Sequence, residues 1–207
     1  MSIRQDAIPS EVATLFSRLA SESSLEDFAL GGGTAIALRI PYRRSIDLDY
    51  FATAQFDSMR LQDALAASLK DFALSNRTQG SLRFMSGGVK AEFFHHPYPL
   101  LTTIETHEGV GLLSLDDLAA MKVNAVTNRG SKKDFSDLLA LHEHGLPLAR
   151  ALDLFCRKYG ESGRLLAVRS LLWFDDAEVE PDPMYLNGWS WSDVRSRLEK
   201  LASDLLM

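Results

Sequence analysis

Cysteine is almost absent. Cys156 is the only one in 207 residues, which excludes an internal disulfide. No Cys or His pairing has the spacing of a zinc site: His95-His96 and His142-Glu143-His144 never put two imidazoles on one helical face, so they read as surface or loop histidines. No stretch approaches the ~20 apolar residues that a membrane span requires. The opening Met1-Ser2-Ile3-Arg4-Gln5-Asp6 lacks the apolar segment of an export signal. A cytoplasmic protein with no membrane partner is therefore expected. Positive charge is also scarce: the formal net charge is −6, which excludes a general nucleic-acid coat. Any polyanion must be met locally, by Arg39, Arg43 and Arg44 or by Arg129, Lys132 and Lys133. Internal repeats, coiled-coil heptads and low-complexity tracts are missing too.

What is present is an ordinary globular composition, 46% hydrophobic, enough for one substantial core or two small ones sharing an interface. The most informative stretch is Arg43-Arg44-Ser45-Ile46-Asp47-Leu48-Asp49-Tyr50-Phe51. Side chains alternate along a strand, so Asp47 and Asp49 share a face about 7 Å apart and can converge on a hard cation. Ile46, Leu48 and Tyr50 are expected on the other, apolar face. Shortly upstream, Gly31-Gly32-Gly33-Thr34 allows a tight backbone turn whose amides, with the Thr34 hydroxyl, can lie against phosphate oxygens. A phosphate cradle beside a cation-binding strand points to a nucleotide-handling site.

The remaining pattern is a mixed one. Ser10 opens a helix with Val12, Leu15, Phe16 and Leu19 on one side, and Phe28-Ala29-Leu30 forms a short strand. Thr34 to Leu38 starts a helix that must end before Pro41. Asp57 caps a helix carrying Met59, Leu65 and Leu69, and a strand follows around Phe72 to Ser75. Ser81 to Met85 and Val89 to Phe94 form a hairpin around Ser86-Gly87-Gly88. In its second strand Glu92 faces away from Val89, Ala91 and Phe93. It reads as an exposed Glu, or as a third acid if this strand adjoins that of Asp47.

From Ser114 the pattern is helical. Capping boxes at Ser114-Leu115-Asp116-Asp117 and Ser131-Lys132-Lys133-Asp134 open helices to about Asn128 and Glu143. Further helices are expected over Leu148 to Lys158, Ser162 to Leu172, and Ser192 to about Leu206. Asp175 to Asn187 reads as a loop anchored by Trp189 and Trp191. Residue by residue, Asp134 reads as a capping acid, Lys133 and Asp137 as an i,i+4 pair, and Lys122 as a snorkelling lysine. The division expected is an α/β core over 1–113 and a helical region over 114–207.

Taken in order, Gly31 to Leu38, Arg44 to Phe51, Lys90-Ala91-Glu92-Phe93-Phe94, Leu118 to Lys122 and Arg129 to Leu138 resemble the AbiEii/AbiGii-type nucleotidyltransferase toxin family. The resemblance covers roughly residues 25 to 145. It implies an α+β fold of the DNA polymerase β-like superfamily: a mixed sheet with flanking helices, followed by a helical region. It also implies a toxin–antitoxin or phage-defence component, with a cognate antitoxin, that uses a nucleoside triphosphate and Mg²⁺ or Mn²⁺. By that likeness Gly32, Gly33 and Thr34 match the phosphate-binding motif and Asp47 and Asp49 the metal pair. Glu92 takes the place of the third acid as ligand or base, and Lys122 and Asp134 match two helical motifs. Arg43, Arg44 and Lys122 are the cations expected to meet the triphosphate. The acceptor it suggests is a hydroxyl, for some members the 3′ end of tRNA. Phosphoryl transfer, modification of a protein hydroxyl, or a non-enzymatic binding module are the alternatives left open.

Overall fold

Alternation of apolar and polar residues sets the sheet. Strand β2 (Asp47–Ala52) buries Leu48 and Tyr50 completely and leaves Asp47, Asp49 and Phe51 on the other face. The computed structural model describes residues 5–107 and 109–206. Residues 1–4, which carry most of the N-terminal reading above, lie outside the described residues, as do Glu108 and Met207. Ile46 does not join the apolar face. It precedes the strand and is 52% exposed, because the chain at Arg44 to Ile46 is instead held by backbone bonds from Arg44 to Met184 and from Ser45 to Ala7.

The other strands are β1 (Ala29–Leu30), β3 (Ala73–Thr78), β4 (Ser81–Ser86), β5 (Val89–His95), β6 (Glu105–His107) and β7 (Val110–Leu112). They form one mixed sheet in the order β3-β4-β5-β2-β1-β7-β6. Strand β2 lies centrally, parallel to β5 and antiparallel to β1. The β4–β5 hairpin closes through Gly87 and Gly88, both at positive φ, the two-residue turn whose twist matches its strands.

The helices are α1 (Ser10–Leu19), α2 (Gly32–Ala37), α3 (Ser58–Ser68), α4 (Leu115–Asn128), α5 (Lys132–Glu143), α6 (Leu148–Tyr159), α7 (Arg164–Ser170), a single turn α8 (Asp175–Glu178) and α9 (Trp191–Asp204). Helix α1 packs on β2 and β5 and α3 on β3 and β4, covering the apolar face. On the other side α2 packs on β2, α4 and α5, and α4 packs in turn on α5, α6 and α7. Among the described residues no helix is long and apolar enough to cross a membrane.

Three expectations change here. The segment expected as one helix from Ser162 to Leu172 is a short 3-10 turn followed by α7, and the loop after Asp175 contains α8. The final helix begins one residue earlier than expected, after Ser190. Strands β6 and β7, three residues each, carry too few residues to show a period.

Candidate functional site

Parallel pairing of β2 with β5 places Asp47 opposite Lys90, Asp49 opposite Glu92 and Phe51 opposite Phe94. With the two-residue side-chain period, these three ranks share the face away from α1. The Asp47 side chain is about one third exposed, and Lys90 Nζ lies 3.8 Å from it. Glu92 is buried. It accepts from Arg83 on β4 at 2.5 Å and from Lys90 at 2.6 Å. Burial alone would favour its neutral form, but the two cations outweigh it and hold its pKa below the usual range.

Asp49 has the opposite balance. Burial and the neighbouring charge of Glu92 push its carboxyl up to about 6, with Lys122 and Lys90 only partly offsetting them. Crowded acids of this kind mark a place where a cation would relieve the repulsion. Among the described residues no three His, Cys, Asp or Glu side chains are grouped as a ready-made cage. Two carboxylates on an accessible face do suit Mg²⁺ or Mn²⁺, hard ions that complete their shells with phosphate oxygens and water. The donor set therefore fits such an ion.

The glycine turn abuts this face directly. Gly31 donates its N–H to the Asp49 carbonyl at 2.7 Å. Gly32 has φ of +61°, and a Cβ there would strike Asp49 Oδ2. A Cβ on Gly33 would strike the Arg43 guanidinium. Side chains at either position would thus displace a charged group, which is the local reason for glycine.

Thr34 departs from its expected part. It is buried, and its hydroxyl bonds to Ser45 Oγ at 2.8 Å and to the Asp47 carbonyl, fixing the entry to β2 instead of facing outward. Arg43 is likewise buried rather than poised at the surface. Its Nε donates to Asp137 Oδ1 at 2.8 Å, and Arg44 is exposed. The cation cluster read from Arg129, Lys132 and Lys133 is dispersed. Lys132 is buried against Asp182 at 2.8 Å, Lys133 is exposed, and Arg129 bonds to Asp134 at 3.1 Å while its side chain stays 70% exposed.

Lys122 and Asp134 do meet, at 2.8 Å. Lys122 also lies 2.5 Å from Asp137 Oδ2, and Tyr42 donates its hydroxyl to Asp137 Oδ1. Burial opposes the Lys122 ammonium, yet Asp134 and Asp137 raise its pKa on balance. Burial opposes the charged form of both aspartates, but Lys122 and Arg129 hold the pKa of Asp134 down, and Arg43 and Lys122 hold that of Asp137 down. So Lys122 is no snorkelling lysine, and Asp137 is no surface partner of Lys133.

Sequence reasoning therefore missed Asp137 as a buried node, along with Tyr42, Ser45 and Arg83. Asp137 left a usable signal. It sits in Phe135-Ser136-Asp137-Leu138-Leu139, where an acid interrupts a run of core residues and must be paired.

A family model described as nucleotidyl transferase AbiEii toxin, Type IV TA system, matches residues 14–204. An uncharacterized protein of Aquifex aeolicus strain VF5 is 35% identical over 159 residues, 74% of this chain and 77% of that protein. Among solved structures, JHP933 from Helicobacter pylori superposes with a TM-score of 0.58 at 18% identity, covering 99% of this chain and 93% of its own. MenT4, a nucleotidyltransferase toxin of Mycobacterium tuberculosis H37Rv, also gives 0.58, at 15% identity and over 96% and 86% of the two chains. These likenesses bear out the α+β nucleotidyltransferase fold.

Proposed function

The chain belongs to the AbiEii nucleotidyl transferase toxin family and is by that membership a nucleotidyltransferase. From this premise we propose that it moves a nucleotide from a nucleoside triphosphate to an acceptor hydroxyl, using the face formed by Asp47, Asp49 and Glu92. A type IV toxin implies a cognate antitoxin.

One observation carries the reading: Gly32 lies against the Asp49 carboxylate, so a triphosphate following the glycine turn reaches the paired acids without a gap. Asp47 and Asp49 would hold Mg²⁺ or Mn²⁺, which when bound neutralises triphosphate charge and so lowers the barrier to attack on phosphorus. The acceptor hydroxyl gives its proton to solvent water as its oxygen bonds to the α-phosphorus, while the bond to the β-phosphate breaks and pyrophosphate leaves. Glu92, kept charged by Arg83 and Lys90, is assigned to orienting those cations rather than to taking a proton. Lys122 and Asp134 fix the wall beside the acids, and the positive potential of Lys122 reaches Asp49. Arg44, exposed just before β2, is the arginine of the pair open to phosphate.

The 3′ end of tRNA is the acceptor we favour, because it presents a terminal hydroxyl on unpaired nucleotides. The test is incubation with α-labelled or γ-labelled triphosphate, Mg²⁺ and tRNA with or without an intact 3′ end. Label should pass from the α position, only to intact tRNA, and Asp47→Asn and Asp49→Asn should lower transfer by orders of magnitude with the fold retained. Transfer from the γ position, or full activity in either variant, would sink the proposal.

A further inference from the structure

Along β5 and just past its end, Lys90, Glu92, Phe94 and His96 fall at every second position on the face that carries the acids, and Tyr98 follows after a turn. The strand period puts Phe94 one rank, about 7 Å, beyond Glu92. His96 continues the line, its N–H bonded to the Ala52 carbonyl at 2.8 Å. At Pro97 the chain turns, and the Tyr98 N–H bonds back to the His96 carbonyl at 2.7 Å, folding its ring against that of His96.

The rings form a continuous series. Phe94 lies 5.5 Å from Phe51, Phe51 lies 5.9 Å from His96, and His96 lies 4.9 Å from Tyr98. Tyr159 on α6 closes the far end, 4.6 Å from Tyr98, with its hydroxyl 3.1 Å from His96 Nε2. The series is only partly covered. Phe94 and His96 are half-buried, and Tyr98 is 40% exposed. The imidazole is uncharged near neutrality, since burial and then the charge of Lys158 lower its pKa to about 4.

Cations border the series in an otherwise acidic protein. Arg83 and Lys90, their side chains 48% and 36% exposed, flank Glu92, and the largely exposed Arg129 acts on Asp49 from the facing helical turn. A row of aromatic rings that starts beside the acids, with cations gathered at that same end, matches the way unpaired nucleic acid is held: bases stack and phosphates meet positive charge.

We propose that Phe94, His96 and Tyr98 are the stacking seat for the unpaired end of a single-stranded RNA acceptor, with Arg83, Lys90 and Arg129 facing its phosphates. This rests on the transfer reading above and adds to it the residues that choose the acceptor. It needs only the rings already in place and a terminal hydroxyl delivered to the rank of Asp49 and Glu92.

Binding can be read without turnover, by fluorescence anisotropy of a labelled single-stranded RNA in the absence of triphosphate. The parent protein should bind this probe more tightly than a blunt duplex of the same sequence. Tyr98→Ala should weaken binding about tenfold, while Tyr98→Trp, which keeps a π-face, retains it. In transfer assays Tyr98→Ala should raise the acceptor KM and leave the triphosphate KM unchanged. Equal binding by Tyr98→Ala and parent, or no preference for the single strand, would overturn the proposal. RNA binding without transfer would instead count against the enzymatic reading and leave this one standing. Transfer to a protein acceptor by a chain that does not bind RNA would do the reverse.

Discussion

At the scale of single residues, the centre of the molecule is organised by Asp137, a fully buried acid that meets Arg43, Lys122 and Tyr42 at once. Such a cluster is stable only while complete, because removing one partner leaves the others charged in a low dielectric. Asp137→Ala should therefore cost about 3–5 kcal/mol, read as a lower urea midpoint. A change below about 1 kcal/mol would mean that Arg43 and Lys122 find water when Asp137 is gone. That Asp47 and Asp49 share a strand face was legible in the sequence, because strand alternation is a strictly local rule. The state of Asp49 was not, since it depends on Glu92 from a strand more than forty residues later. Thr34 shows the same limit in reverse: its hydroxyl was visible, its direction was not, because Ser45 and the Asp47 carbonyl compete for it.

At the scale of elements, helix starts were read well and their acids poorly. Ser114 and Ser131 each accept from the backbone N–H three residues on, as their motifs require. Neither acid completes a reciprocal box, however. Asp117 turns to Lys158 and to the amides of Leu101 and Thr102, while Asp134 turns to Lys122 and Arg129. A buried ammonium is a stronger partner than an end-of-helix amide, so tertiary charge overrides the local motif. The reciprocal box forms at Ser190 and Asp193, at an exposed helix start with no such competitor. The β5 end makes a pH prediction. The fold lowers the His96 pKa from an ordinary 6.5 to about 4, so the unfolded chain takes up the proton first on acidification. The contribution of His96 to stability is complete above pH 6.5 and is lost as pH falls from 6.5 towards 4. Asp49, whose pKa is raised to about 6, gives the opposite slope over the lower part of this window. The comparison is therefore between parent and His96→Gln: denaturation midpoints measured across this range should fall less steeply in the variant. Parallel curves would show that His96 is solvated in the native state.

At the scale of the whole molecule, an acidic chain must hold a highly charged anion without a broad positive surface. In the proposed site the sheet supplies the acids, helix α4 supplies Lys122 and the α4–α5 turn supplies Arg129, so the polyanion would be met by groups from both sides. Triphosphate with Mg²⁺ should raise the melting temperature more than either added alone, by about 2.7 kcal/mol of stabilisation at a hundredfold excess over Kd. Asp49→Asn should abolish the synergy in a thermal shift assay; a variant that keeps it would place the cation elsewhere. Fold class was readable because the change from period two to period 3.6 near Ser114 is a long-range signal that many residues share. The order of strands was not, since the parallel β2–β5 contact spans the hairpin and leaves no mark in either strand alone. The glycine turn joins the two charge systems: Gly32 backs onto Asp49, and its neighbour Gly33 backs onto Arg43 and Asp137. The proposed reaction face and the interior scaffold are thus separated by a wall one peptide thick. Neither can be retuned through that wall without disturbing the other, so adaptation to new acceptors has its freedom at the distant rim and almost none at the hinge between them.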